Sequence, residues 1–252
     1  MPSSVQLPRL RWGDALAPRT ALLVHGLGSS GALMWRLGEA MADAGWHAVA
    51  IDLRGHGAAP RTQDYSIAAY AADLRGTRPD RGASWDAVIG HSLGGASATV
   101  AAASDPEWTK KLVLIDPAIF VAGRDSSIIR RSQERAFADN RIELVREEHP
   151  HWHPQDHELK IDAVARTSRW AVEQTSAQNA PWDVRTEAAR LAIPTHIIGA
   201  DPDVYSLFTG DTAQQVLDTN PLITMSVVAD AGHSPHRDRP EETIRQLGKA
   251  LS

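Results

Sequence analysis

The sequence contains no cysteine. That excludes a disulfide framework, a thiolate metal site and a thiol nucleophile, so any nucleophile must be oxygen or nitrogen. It also has no basic run or stripe. Net charge is −5 and the sequence pI is near 6.1, a balance that argues against a nucleic-acid partner. No apolar stretch reaches the roughly 18 residues of a membrane span, and the opening MPSSVQLPRLRWGD lacks the apolar core of a signal peptide. The expectation is a cytoplasmic protein with no membrane partner. Glycine is missing from one region only: none of the 18 falls in residues 124–198. Turns between strands need glycine for positive φ, whereas a helical insertion does without it. This gap predicts a helical cap over residues 121–181, inserted into a core formed by residues 1–120 and 182–252.

What is present fits such a core. A chain of 252 residues, 42% hydrophobic and 23% charged, has the composition of a soluble globular protein and buries about three quarters of its unfolded surface. Short apolar runs at 21–24, 48–51, 87–89, 112–115, 196–198 and 225–228 are continuous rather than alternating, as in parallel strands covered on both faces. Between them, Met34, Leu37 and Met41 share a helical face that stops at Gly45. Ile67, Tyr70, Ala71 and Leu74 form a second stripe ending at Gly76. A last helix is predicted from Asp238, as N-cap, and Pro240, with Ile244, Leu247 and Leu251 on one face. Alternating strands and helices predict an α/β fold with a mostly parallel central sheet.

Directly after the 87–89 strand stands Gly90-His91-Ser92-Leu93-Gly94. A strand turning sharply into a helix can lift one hydroxyl clear of the sheet, provided glycines relieve the crowding. The hydroxyl then sits at the carboxyl edge of the strands, where open α/β sheets bind ligands. The N–H of Leu93, at a helix N-terminus, is placed to donate to a developing oxyanion. His25-Gly26-Leu27-Gly28 follows the first buried strand, where such a fold puts a second oxyanion donor, here the N–H of Leu27. Asp52-Leu53-Arg54-Gly55-His56-Gly57 follows the next strand and is expected to shape the same rim with structural charges.

In order and spacing, HGLG, DLRGHG, GHSLGG, LVLIDPA, IPTHIIGADPD and AGHSPHRDRPE resemble the α/β-hydrolase superfamily across nearly the whole chain, with a weaker similarity to zearalenone-type lactonases in the later third. The resemblance implies the α/β-hydrolase fold and a Ser-His-Asp triad. Ser92 is the implied nucleophile and His233, in Ala231-Gly232-His233-Ser234, the implied base; His236 is expected at the rim and His91 packed beside the turn. Three residues compete for the acid. The spacing common in relatives, an acid third after the glycine ending the next-to-last strand, fails at Gly199 because that position is Pro202. Asp201 and Asp203 are the alternatives there, and Asp116, at the end of the 112–115 strand, is where some relatives carry it.

The implied chemistry is cofactor-free hydrolysis of a small-molecule ester or lactone through an acyl-enzyme. Serine at 92 argues against haloalkane dehalogenase and epoxide hydrolase chemistry, which in this fold use a carboxylate nucleophile. C–C bond, amide and perhydrolytic chemistry stay open, as does a ligand-binding receptor built on the same fold. Within the cap, Trp152, Trp170 and Trp182 are candidates for an apolar pocket over Ser92. His149, His151, His153 and His157 lie among acids and invite a zinc reading. However, prolines 150 and 154 break the segment and there is no His-Glu-x-x-His pairing, so a loop between cap helices is expected and no metal.

Overall fold

Each apolar run lies in a strand of one sheet. The computed structural model describes residues 4–252; the first three residues, part of the segment read as lacking a leader, lie outside the described residues. The strands are β1 (Arg9–Trp12), β2 (Arg19–Val24), β3 (Trp46–Ile51), β4 (Ala87–His91), β5 (Leu112–Ile115), β6 (Phe120–Val121), β7 (Trp182–Asp183), β8 (Thr195–Gly199) and β9 (Ile223–Val227). Seven of them form a sheet in the order β1-β3-β2-β4-β5-β8-β9. All neighbours are parallel except β1 on β3. β1 was not foreseen because Arg9-Leu10-Arg11-Trp12 is a half-exposed edge with no apolar run.

The helices are α1 (Trp35–Asp43), α2 (Ile67–Gly76), α3 (Leu93–Ser104), α4 (Gly123–Ala138), α5 (Ile142–Glu148), α6 (Pro154–Arg166), α7 (Arg169–Gln178), α8 (Arg185–Ala189), α9 (Gly210–Thr219), α10 (Pro235–Asp238) and α11 (Pro240–Leu251). Side chains alternate across the strands, so β2 sends Ala21 and Leu23 to one core and Leu22 and Val24 to the other. Leu37 and Met41 of α1 and Leu247 of α11 cover the first face. Tyr70 and Leu74 of α2, Ala98 and Ala101 of α3, Ala188 of α8 and Val216 of α9 cover the second. The protein therefore has the α/β-hydrolase fold, a mostly parallel sheet flanked by helices.

The glycine-poor stretch leaves the sheet after β5 and returns before β8. Its stem is a two-residue antiparallel pairing of β6 with β7, Phe120 opposite Asp183 and Val121 opposite Trp182. α4 to α7 lie between these strands. Asp238 corrects an expectation: α11 is preceded by Arg239 with no side-chain cap. The Asp238 carboxylate instead accepts from Gly232 N–H and Trp152 Nε1.

The chain runs outward from β2 to β3 and then crosses back to β4. The loops after β2 and β4 diverge there, and a crevice opens at the carboxyl ends of the strands.

Candidate active site

Ser92 follows β4 with φ 52° and ψ −117°, a conformation that β-carbon sterics penalise and that persists only where the surroundings enforce it. The neighbouring glycines show what enforces it. A β-carbon on Gly94 would lie 2.4 Å from the Val24 carbonyl oxygen, and one on Gly90 would lie 2.8 Å from the Gly94 oxygen. Only glycine lets β2, the turn and α3 approach this closely. The Ser92 side chain is lifted to the floor of a cavity and remains 8% exposed.

His233 meets it there. Its Nε2 accepts from Ser92 Oγ at 2.9 Å and its Nδ1 donates to Asp116 Oδ2 at 2.6 Å. Asp116 follows β5, the strand beside β4, and has φ 35°. Its carboxylate is fully buried, a costly state unless every lone pair is engaged. Ser206 Oγ and Phe208 N–H donate to Oδ1 at 2.6 and 3.2 Å, and Leu207 N–H donates to Oδ2 at 3.0 Å. Burial pushes this carboxyl up, yet the His233 bond and charge, the Ser206 hydroxyl and the Leu207 N–H outweigh it and hold the group below its ordinary value.

Asp201 does not reach the imidazole, which corrects one of the three alternatives for the acid. Its Oδ1 accepts from Asp203 N–H at 2.9 Å and its Oδ2 from Asp230 N–H at 2.8 Å. The backbone bonds from Asp230 and Asp203 lower its pKa. It caps the turn after β8 and braces the turn after β9, while Asp203 is exposed. The donors at 206–208 escaped sequence analysis because two of the three are backbone groups, about 90 residues from the carboxylate they serve.

Leu27 and Leu93 line the same cavity and, among the described residues, their N–H groups donate to no other group of the chain. The Leu27 loop is clamped to the loop after β3 by two histidines in reciprocal fashion. His25 Nε2 accepts from Leu53 N–H while its Nδ1 donates to Gly26 O; His56 Nε2 accepts from Gly28 N–H while its Nδ1 donates to Arg54 O. Burial is the main cause that pulls them down to about 4 and about 3, so both rings are neutral. Arg54 and Asp73 form a buried bidentate pair at 2.7 Å on both arms. The charges of this loop are thus structural and none lines the cavity: Arg54 is tied to α2 through Asp73, and Asp52 accepts from Gly31 and Ala58 N–H.

A cavity of about 960 Å3 stands over Ser92, walled by α4, α5, α6 and the loops after β2, β4 and β9. Trp152 and Trp182 line it, and their indole N–H groups are held by Asp238 and the Ala118 carbonyl. Trp170 does not: it lies on α7 and is 55% exposed. His236 is not at the rim either. It is buried against His91, ring centroids 4.7 Å apart, and His91 Nε2 donates to the His233 carbonyl at 2.8 Å. In the histidine-rich segment three of the four rings have their own neighbours. His149 stacks on Trp152, His157 bonds the His149 carbonyl, and His153 caps α6, in which Pro154 starts a helix rather than breaking one. Only His151 has none of these roles. Among the described residues no three metal-ligating side chains converge.

Residues 21–246 match the alpha/beta hydrolase family. Among curated proteins, an sn-1-specific diacylglycerol lipase of Mus musculus is 35% identical over 105 residues, covering 41% of this chain and 34% of that lipase. The chain thus spans about a third of that relative's length. Lipase 3 of Moraxella sp. (strain TA144) is 25% identical over 248 residues, 91% of this chain and 76% of the lipase. Among solved structures, the N-formylmaleamic acid deformylase of Pseudomonas putida S16 superposes with a TM-score of 0.79 at 23% identity, covering 95% of this chain and 94% of that one. At that identity the superposition establishes the fold alone.

Proposed function

This chain belongs to the alpha/beta hydrolase family, and from that premise we propose that it is a serine hydrolase cleaving a small carboxylic ester or lactone through an acyl-enzyme. The observation that carries this is the unbroken relay from Ser92 Oγ through His233 to Asp116. A serine hydroxyl is a weak nucleophile at neutral pH; an imidazole accepting its proton makes it competent. His233 Nε2 takes that proton as Oγ bonds to the substrate carbonyl carbon. Asp116 fixes the tautomer with the proton on Nδ1 and stabilises the imidazolium. The uncommitted N–H groups of Leu27, on the loop held by the His25 and His56 clamp, and of Leu93, at the start of α3, receive the oxyanion. The imidazolium then protonates the leaving alcohol, and the ring activates a water that releases the acid.

Residues 121–181 act as the lid, with Trp152 and Trp182 supplying apolar wall. Sequence similarity to lipases supports an ester substrate over a C–C bond. Labelling with a fluorophosphonate tests the reading. Stoichiometric modification of Ser92, abolished in Ser92→Ala, together with turnover of p-nitrophenyl esters or a lactone panel, is expected; a folded protein that is neither labelled nor active refutes it.

A further inference from the structure

Most charges in the cavity wall are paired: Asp139, for one, is held by Arg141. Arg36 faces Asp156, Arg135 is paired with Glu148, and Arg239 with Asp230. Glu241 is exposed at the mouth. Two cations remain with no carboxylate within ion-pair distance among the described residues. Lys160, on α6, donates from Nζ to the Gly28 carbonyl at 2.9 Å. Arg237, on α10, is 5% exposed, donates to Ser234 Oγ at 3.1 Å, lies over the Trp152 ring at 4.6 Å, and has an Nε with no partner. A guanidinium and an ammonium held in a wall without a direct ion-pair partner are unfavourable unless a ligand supplies the anion.

Their placement is specific. Lys160 grips the residue after Leu27, and Arg237 grips the residue after His233. The two therefore flank the reacting centre, one on the oxyanion side and one on the base side. Burial first, and then the Arg237 charge, pulls the Lys160 ammonium down to about 8. Two carboxylates oppose Arg237: Asp156, which also faces Arg36, and Asp238, already engaged by Gly232 N–H and Trp152 Nε1. Against the three cations Arg36, Lys160 and Arg237, these two carboxylates leave one positive charge over in this part of the wall, which suits a monoanion.

We infer that Lys160 and Arg237 form an anion subsite beside Ser92 and that the ester or lactone accepted there carries a free carboxylate. Calling the occupant a substrate rests on the serine-hydrolase reading; the subsite itself does not. The test is a calorimetric titration of the Ser92→Ala protein with monomethyl succinate and with methyl butyrate, a neutral ester of similar length. The hemiester is expected to bind at least about tenfold more tightly, equivalent to about 1.4 kcal/mol. Lys160→Met and Arg237→Met, each in the Ser92→Ala background, should each remove that preference, and Lys160→Arg should keep it. Because Arg237→Met can misfold, Lys160→Gln and Arg237→Gln, each checked by a thermal melt, carry the same comparison with smaller perturbation. Equal affinities, no measurable hemiester binding, or a preference that survives every neutralised variant overturns the subsite. Labelled Ser92 without carboxylate preference removes the subsite alone. Carboxylate preference without labelling removes hydrolysis and leaves an anion-binding site.

Discussion

Ser92 and Asp116 stand at the ends of adjacent parallel strands, each one residue past the register pair His91 and Ile115, and both have positive φ, 52° and 35°. Two side chains at equivalent strand ends, each lifted by a strained backbone, bracket the single imidazole that joins them.

That geometry distinguishes the carboxylates. Asp116→Asn is expected to lower kcat by about 10⁴-fold, as for removal of a triad acid, because the amide no longer fixes the productive tautomer. Asp201→Asn, which keeps one of its two backbone acceptor contacts and loses the other, is expected to leave kcat within a few-fold and to lower stability by about 1 kcal/mol. Steady-state kinetics on one p-nitrophenyl ester and a urea titration of both variants check this; equal loss of kcat in the two would contradict it.

The clamp histidines predict acid lability. In the unfolded chain each ring protonates near pH 6.5, but in the folded protein not until about 4 for His25 and about 3 for His56. Across that window the unfolded state binds the extra protons, so stability rises with pH. Lowering pH from 6.5 to 4 should therefore cost up to about 1.4 kcal/mol per pH unit for each ring. Urea midpoints measured at several pH values read the slope. His56→Gln should flatten it, and an unchanged slope would mean that the ring is not the buried neutral group described.

Gly94→Ala tests the turn. Its new methyl would meet the Val24 and His25 carbonyl oxygens at 2.4 and 2.6 Å. Backbone oxygens cannot rotate away, so a loss of about 2–4 kcal/mol is expected, at the severe end for a point substitution. Gly248→Ala, where a β-carbon meets nothing within 4 Å, should be neutral or stabilising by a few tenths of a kcal/mol. Thermal melts of the pair decide.

Arg54→Met leaves the Asp73 carboxylate, which is 0% exposed, without its charged partner. Removing one member of a buried pair costs about 3–5 kcal/mol. The double variant Arg54→Met/Asp73→Leu should recover a substantial part of that loss in chemical denaturation, since no uncompensated charge remains.

Much of this was legible in the chain itself. The buried strands and the turn at Ser92 announce themselves through apolar runs and glycines whose spacing reflects local sterics, and the histidine at 233 through the family resemblance. The choice among three aspartates was not legible, because it depends on which strand end faces the histidine loop. Nor was the role of His25 and His56, whose partners lie on each other's loops. Trp170 and Trp152 look alike as tryptophans in a glycine-poor segment; only the packing of α6 and α7 turns one toward the cavity and the other toward solvent. Lys160 and Arg237 left no local signal, since each gains meaning from the direct ion-pair partner it lacks.

The stretch from Ser206 to Phe208 acts as a dry hydration shell. In place of the carboxylate that relatives mount after the next-to-last strand, it offers dipoles that solvate a charge held one strand away. Lengthening or stiffening that stretch should therefore retune the acidity of residue 116, and through it the imidazole, with every member of the relay still in place.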